Sequence, residues 1–113
     1  MFIHTITIGR NIGTDPMNDV SWSTFQADMQ DILAGEAPNW EILSTHNGEG
    51  EWAGIPEDSA IITMVHSKPL SPQGLMSIRG KLAYKCREYK QEAIAFSANA
   101  VSELITFDRH SGI

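Results

Sequence analysis

The feature that most limits what this chain can fold into is the change of its hydrophobic period along the sequence, from two to about 3.6 and back, twice over. Phe2 to Gly9, FIHTITIG, is rich in β-branched residues, ends on glycine and places His4, Ile6 and Ile8 on one face. That is a strand. After the turn-rich segment Arg10 to Asp19, the residues Trp22, Phe25, Met29 and Ile32 recur at steps of three and four between Val20 and Leu33. That is one stripe of an amphipathic helix, with Gly35 as its expected stop. Trp40 to His46 predicts a second strand, Asn47-Gly48 a turn, and GEGEWAGIPED a glycine-rich connection carrying Trp52.

Ser59 to His66 is apolar on both faces, as a central strand requires. Ser71-Pro72 opens a second helix, because serine caps a free N–H and proline suits the first helical position. Its apolar stripe is Leu75, Ile78, Leu82, Cys86 and Tyr89. Glu92 to Ser97 predicts a fourth strand and Val101 to Phe107 a fifth, joined through Ser97-Ala98-Asn99.

The order strand, helix, strand, strand, helix, strand predicts an α+β domain of the ferredoxin-like βαββαβ kind: an antiparallel sheet with two helices on one face and an extra C-terminal strand. A chain of 113 residues suits one domain, expected over 1–107 with a mobile tail at 108–113. Its apolar fraction of 42% is ample for a packed core.

Eight Lys and Arg against fourteen Asp and Glu leave a formal charge of −6, which disfavours general nucleic-acid binding and anionic membranes. Cys86 is the only cysteine, so disulfides within the chain and multi-cysteine zinc sites are excluded. With no export signal and no apolar run of membrane-spanning length, a cytoplasmic protein is expected.

Few residues carry chemistry. His4 and His66 are brought together if the first and third strands pair antiparallel, and His4-Thr5-Ile6 with His66-Ser67-Lys68 comes near the paired motifs of two-histidine phosphoesterases. Those motifs place a hydroxyl two residues after each histidine, on the same strand face. Here isoleucine and lysine stand there, so the pair remains an outside candidate beside a structural role at a strand edge.

No short-spaced histidines pre-form a metal site, and no metal or cofactor is expected. Cys86 lies on an apolar stripe, where a thiol is inert packing. Arg10 and Asn11, in the loop Gly9-Arg10-Asn11-Ile12-Gly13, could meet an anion at a helix entrance, although simple turn-making accounts for the glycines equally.

Trp52, flanked by Gly50 and Gly54, could stack on a base or cover the sheet. Arg79 and Lys85 belong to a basic face of the second helix, an anion site or a solvated surface. Glu49, Glu51, Glu57 and Asp58 form an acidic cluster suited to a basic protein.

Gly9, the Trp22-x-x-Phe25 helix, Gly50-Glu51-Trp52, Gly54 and the Tyr89-Lys90-Gln91-Glu92-Ala93-Ile94 junction together resemble a small bacterial and phage family of unknown function. The resemblance implies a compact ferredoxin-like domain and no particular activity. The chain is also similar in style to phage-encoded counter-defence proteins, which bind a host protein or sequester a nucleotide signal.

The leading expectation is therefore a non-enzymatic, self-associating protein that holds a small nucleotide-like anion through Arg10, Asn11, Trp52, Arg79 and Lys85. The alternatives are an acidic inhibitor of a host protein, a two-histidine phosphodiesterase, and an oligomeric scaffold joined through the open sheet face at Ile61, Thr63 and Val65.

Overall fold

The structure, a computed structural model, describes residues 1–103 and 105. Strand β1 (Phe2–Gly9) buries His4, Ile6 and Ile8 and leaves Thr5 and Thr7 on the other face, as the alternation predicts. After the short pair β2 (Asn11–Ile12) and β3 (Asp15–Pro16) comes helix α1 (Asp19–Glu36). The Asn18 side chain caps it by accepting the Ser21 N–H, and Asp19 stands in the first turn, where the helix dipole favours negative charge.

The helix does not stop at Gly35. It ends at Ala37, whose N–H still bonds the Leu33 carbonyl, because the next residue is Pro38 and the residue before a proline is pushed out of the helical region.

Strands β4 (Ile42–Trp52) and β5 (Ile55–His66) form one long antiparallel hairpin. The turn expected at Asn47-Gly48 is absent: these residues lie inside β4, opposite Ala60 and Ser59. The chain reverses instead at Ala53-Gly54, both with positive φ (52° and 82°), the geometry of a two-residue hairpin turn. A left-handed alanine costs about 1–2 kcal/mol. Turning there keeps Glu49–Trp52 and Ile55–Asp58 in the ladder, so their backbone groups stay hydrogen-bonded.

Helix α2 (Pro72–Glu88) begins as its sequence predicts, with the Ser71 hydroxyl accepting the Gly74 N–H at 3.0 Å and Pro72 in the first turn. Ile78 and Leu82 are buried on it. Strand β6 (Ala95–Val101) runs straight through Ser97-Ala98-Asn99, expected as a connection. A bulge there, with Asn99 at φ 60°, absorbs the irregularity without a turn. Of the expected fifth strand, Val101 closes β6, and residues 104, 106 and 107 lie outside the described residues, as does the expected tail.

The sheet order is β4-β5-β1-β6, antiparallel throughout, the ferredoxin-like βαββαβ arrangement. Both helices cover the face bearing Ile6, Ile8, Ile62 and Met64, with Phe25, Met29, Leu33 and Ile78 completing the core. Across the helix pair, Tyr89 stacks on Phe25 at 4.3 Å, and its hydroxyl donates to Asp28 at 2.6 Å. Burial and that carboxylate push the Tyr89 pKa up to about 12. Glu36 accepts from the Ser77 hydroxyl and from Lys81, and the two hydrogen bonds hold its pKa below the ordinary carboxylate value. The opposite sheet face carries no helix, and Ile42 and Ile61 are exposed on it. No described helix is long and apolar enough to cross a membrane.

Candidate active site

A cavity of about 290 Å³ opens where the end of β1, the far part of the β4–β5 hairpin and the segment between α2 and β6 converge. That volume is at the lower end of the range of small-ligand sites, about 300–1,000 Å³. Glycines make room for it. Glu57 lies diagonally across from Gly9 on the open sheet face, and its carboxylate is folded over the glycine: a Cβ on Gly9 would stand 2.3 Å from Glu57 Oε1. The carboxylate is fixed by the Asn11 backbone N–H, which donates to Oε2 at 2.9 Å. Opposite Glu57 on the neighbouring strand is Gly50, again without a side chain to fill the space.

Trp52, half exposed at the hairpin tip, is oriented by its indole N–H donating to Glu92 Oε2 at 2.9 Å. Gln91 ties the third wall to the first by donating to the Asn11 carbonyl at 3.0 Å. Glu51, Glu57 and Glu92 line the cavity against a single lysine, Lys90. The lining therefore favours a ligand bearing positive charge.

Of the residues singled out from sequence, Asn11 and Trp52 meet at this cavity and three do not line it. Arg10 is a clamp: its guanidinium bonds the Met17 carbonyl at 2.8 Å, pairs with Asp19 at 2.6 Å and lies 3.5 Å from Asp58. Lys85 pairs with Asp28 at 3.2 Å and Glu88 at 2.7 Å on α2, and Arg79 is exposed on the same helix. Sequence reading missed the pairing of Gly9 with Glu57, the bond from Trp52 to Glu92 and the place of Lys90 at the cavity. Gly9 read as a strand end and Glu57 as one acid among four, because only strand register reveals that the carboxylate lies over the glycine.

His4 and His66 do come together, with ring centroids 6.5 Å apart, but at the other end of β1 from the cavity, which neither lines. His4 is fully buried; its Nδ1 accepts the Asn99 N–H at 3.0 Å while Nε2 has no partner among the described residues. His66 Nδ1 lies 2.7 Å from the Lys68 carbonyl, and the Asn99 side chain in turn grips the backbone of Leu70. The Asn99 contacts with His4 and Leu70 hold the β6 bulge and the approach to α2.

Burial, and next the charge of His66, hold the His4 pKa below the ordinary 6.5. The folded chain thus binds fewer protons than the unfolded chain in mild acid. Stability from neutral His4 is complete above about pH 6.5 and is lost as pH falls from there through the folded-state value, by at most about 1.4 kcal/mol per pH unit. Urea midpoints across a pH series measure this decline. It should be shallower in His4→Asn, which can still accept the Asn99 N–H but does not titrate; an equal slope in both proteins would refute the assignment.

No protein-family model matches the chain, and no curated protein does. Among solved structures it is similar to a phage SAM lyase in complex with S-methyl-5'-thioadenosine, with TM-score 0.54, 18% identity, and coverage of 84% of this chain and 77% of that one. It is also similar to a phage SAM lyase in the apo state, with TM-score 0.55, 16% identity and coverage of 92% of each chain. These likenesses are to phage proteins of the same fold. They correct the expectation of a non-enzymatic protein sequestering a nucleotide-like anion, since the similar proteins are enzymes. The lining supplies the physical reason, because three glutamates and a single lysine disfavour an anionic ligand.

Proposed function

We propose that this chain is a lyase acting on S-adenosylmethionine, with the cavity at Glu57 and Trp52 as its active site. The observation that carries the reading is the Glu57 carboxylate, laid over Gly9 and fixed by the Asn11 N–H, in a cavity whose lining charge is mostly negative. S-adenosylmethionine brings a sulfonium, an ammonium and an adenine. The Glu57 carboxylate suits a cation, and Trp52 offers an aromatic face to the purine, a contact worth about 1–3 kcal/mol where bases stack on aromatic side chains. The likeness to phage SAM lyases, one of which holds S-methyl-5'-thioadenosine, supports the substrate class.

The chemistry asks little of the protein beyond placement. When the bond from sulfur to the four-carbon amino-acid chain breaks, both electrons go to sulfur, and the cationic sulfonium becomes the neutral thioether of S-methyl-5'-thioadenosine. A lyase takes up no water, so the four-carbon fragment supplies the compensating electron pair from within itself. Glu57 anchors the cationic end in one orientation, and a fixed carboxylate needs no reorganisation as the substrate binds.

Incubation with S-adenosylmethionine alone, followed by chromatography, tests the reading. S-methyl-5'-thioadenosine should accumulate in molar excess over the protein without any second substrate. A substrate pool that declines no faster than in buffer sinks it.

A further inference from the structure

On the reading of the cavity as an S-adenosylmethionine site, we infer that Lys90 is its specificity-determining residue, pairing with the carboxylate of the substrate's amino-acid end. Helix α2 ends in a Schellman motif: the Gln91 N–H bonds the Cys86 carbonyl at 2.8 Å, and the Lys90 N–H bonds the Arg87 carbonyl at 3.3 Å. The residue between Tyr89 and Gln91 must then take a left-handed conformation, a position where glycine is usual. Lys90 occupies it at φ 53°. A lysine held where its backbone is strained points to a use for the side chain.

The cavity offers one. Lys90 is the only Lys or Arg among its lining residues, and none of the described ion pairs includes it, whereas Arg10, Lys81 and Lys85 are all engaged with carboxylates. Gln91, the next residue, is tied to the Asn11 and Tyr89 carbonyls, which fixes the backbone from which Lys90 projects. Across from it, Asn11 holds Glu57. The lining thus combines one cation with carboxylates, the complement of a zwitterionic α-amino acid attached to a sulfonium. An adenosine thioether lacking the amino acid has nothing for Lys90 to hold.

The test compares two unreactive thioethers that share the adenosine and differ at this end: S-adenosylhomocysteine, which keeps the amino acid, and S-methyl-5'-thioadenosine, which does not. Binding is followed by calorimetry for the wild type, Lys90→Gln and Lys90→Gly. The wild type should prefer S-adenosylhomocysteine by about tenfold, a modest value for a charge-assisted contact. Both variants should lose most of that preference, the share owed to the carboxylate, while binding S-methyl-5'-thioadenosine unchanged. Lys90→Gly relieves the left-handed strain, so its thermal midpoint should be no lower than that of the wild type, which separates loss of recognition from loss of fold.

Equal weakening of both ligands, or a preference undiminished in the variants, overturns the inference and leaves the site reading standing. Failure of the wild type to bind either ligand overturns the site reading itself.

Discussion

Exchanging Glu57 for glutamine should lower kcat/KM for S-adenosylmethionine by about 10- to 100-fold, the range expected when a charged hydrogen-bonding partner is lost. Glutamine keeps an oxygen to accept the Asn11 N–H, so the hairpin should hold its place while the negative charge disappears. Gly9→Ala offers an independent route to the same loss. Its new Cβ would stand 2.3–2.6 Å from three atoms of the Glu57 carboxyl group, which must therefore move.

Because those atoms are the far end of a flexible side chain and Gly9 pairs with Ser59 as an ordinary strand residue, the fold should tolerate alanine there, with stability changed by less than about 1 kcal/mol. The paired result, activity lost in both variants with urea midpoints near that of the wild type, is diagnostic. Full activity in Gly9→Ala would mean that the carboxylate does not need its place over the glycine.

Phe25→Ala should have the largest effect on stability, about 3–5 kcal/mol. Phe25 is fully buried at the centre of the core, stacked on Tyr89 and edge-on to Trp22 at 6.2 Å. For a domain of ordinary stability, about 5–15 kcal/mol, that is a large fraction of the total. Equilibrium unfolding in urea measures it, and a loss below about 1 kcal/mol would contradict the packing described. The effect should reach the cavity too, since Tyr89 caps α2 directly before Lys90 and loses its stacking partner.

Local sequence signals made most of the fold legible. Alternation in β1, the Trp22, Phe25, Met29, Ile32 stripe and the Ser71-Pro72 start each depend on neighbours a few residues away, and each reads correctly. The errors arose where two local signals competed. Asn47-Gly48 is the stronger turn dipeptide, yet the hairpin turns at Ala53-Gly54, because the ladder gained by longer strands outweighs one left-handed alanine. Similarly, Ser97-Ala98-Asn99 reads as a break but becomes a bulge once β1 lies beside it and His4 accepts the Asn99 N–H.

For the site, the residue types were visible and their company was not. Trp52 and Asn11 stood out because glycines flank them, whereas Arg10 looked free until the fold set Asp19 and Asp58 around it. The sequence by itself determined the order of strands and helices, the identity of the core and therefore the ferredoxin-like fold, because hydrophobic periodicity is a local property of the chain. Tertiary structure alone decided that Glu57 lies over Gly9 and that Glu92 orients Trp52. The physical reason is that these relations join residues some 40 or more positions apart, and strand register and the packing of α2 set them, where no short-range pattern reaches.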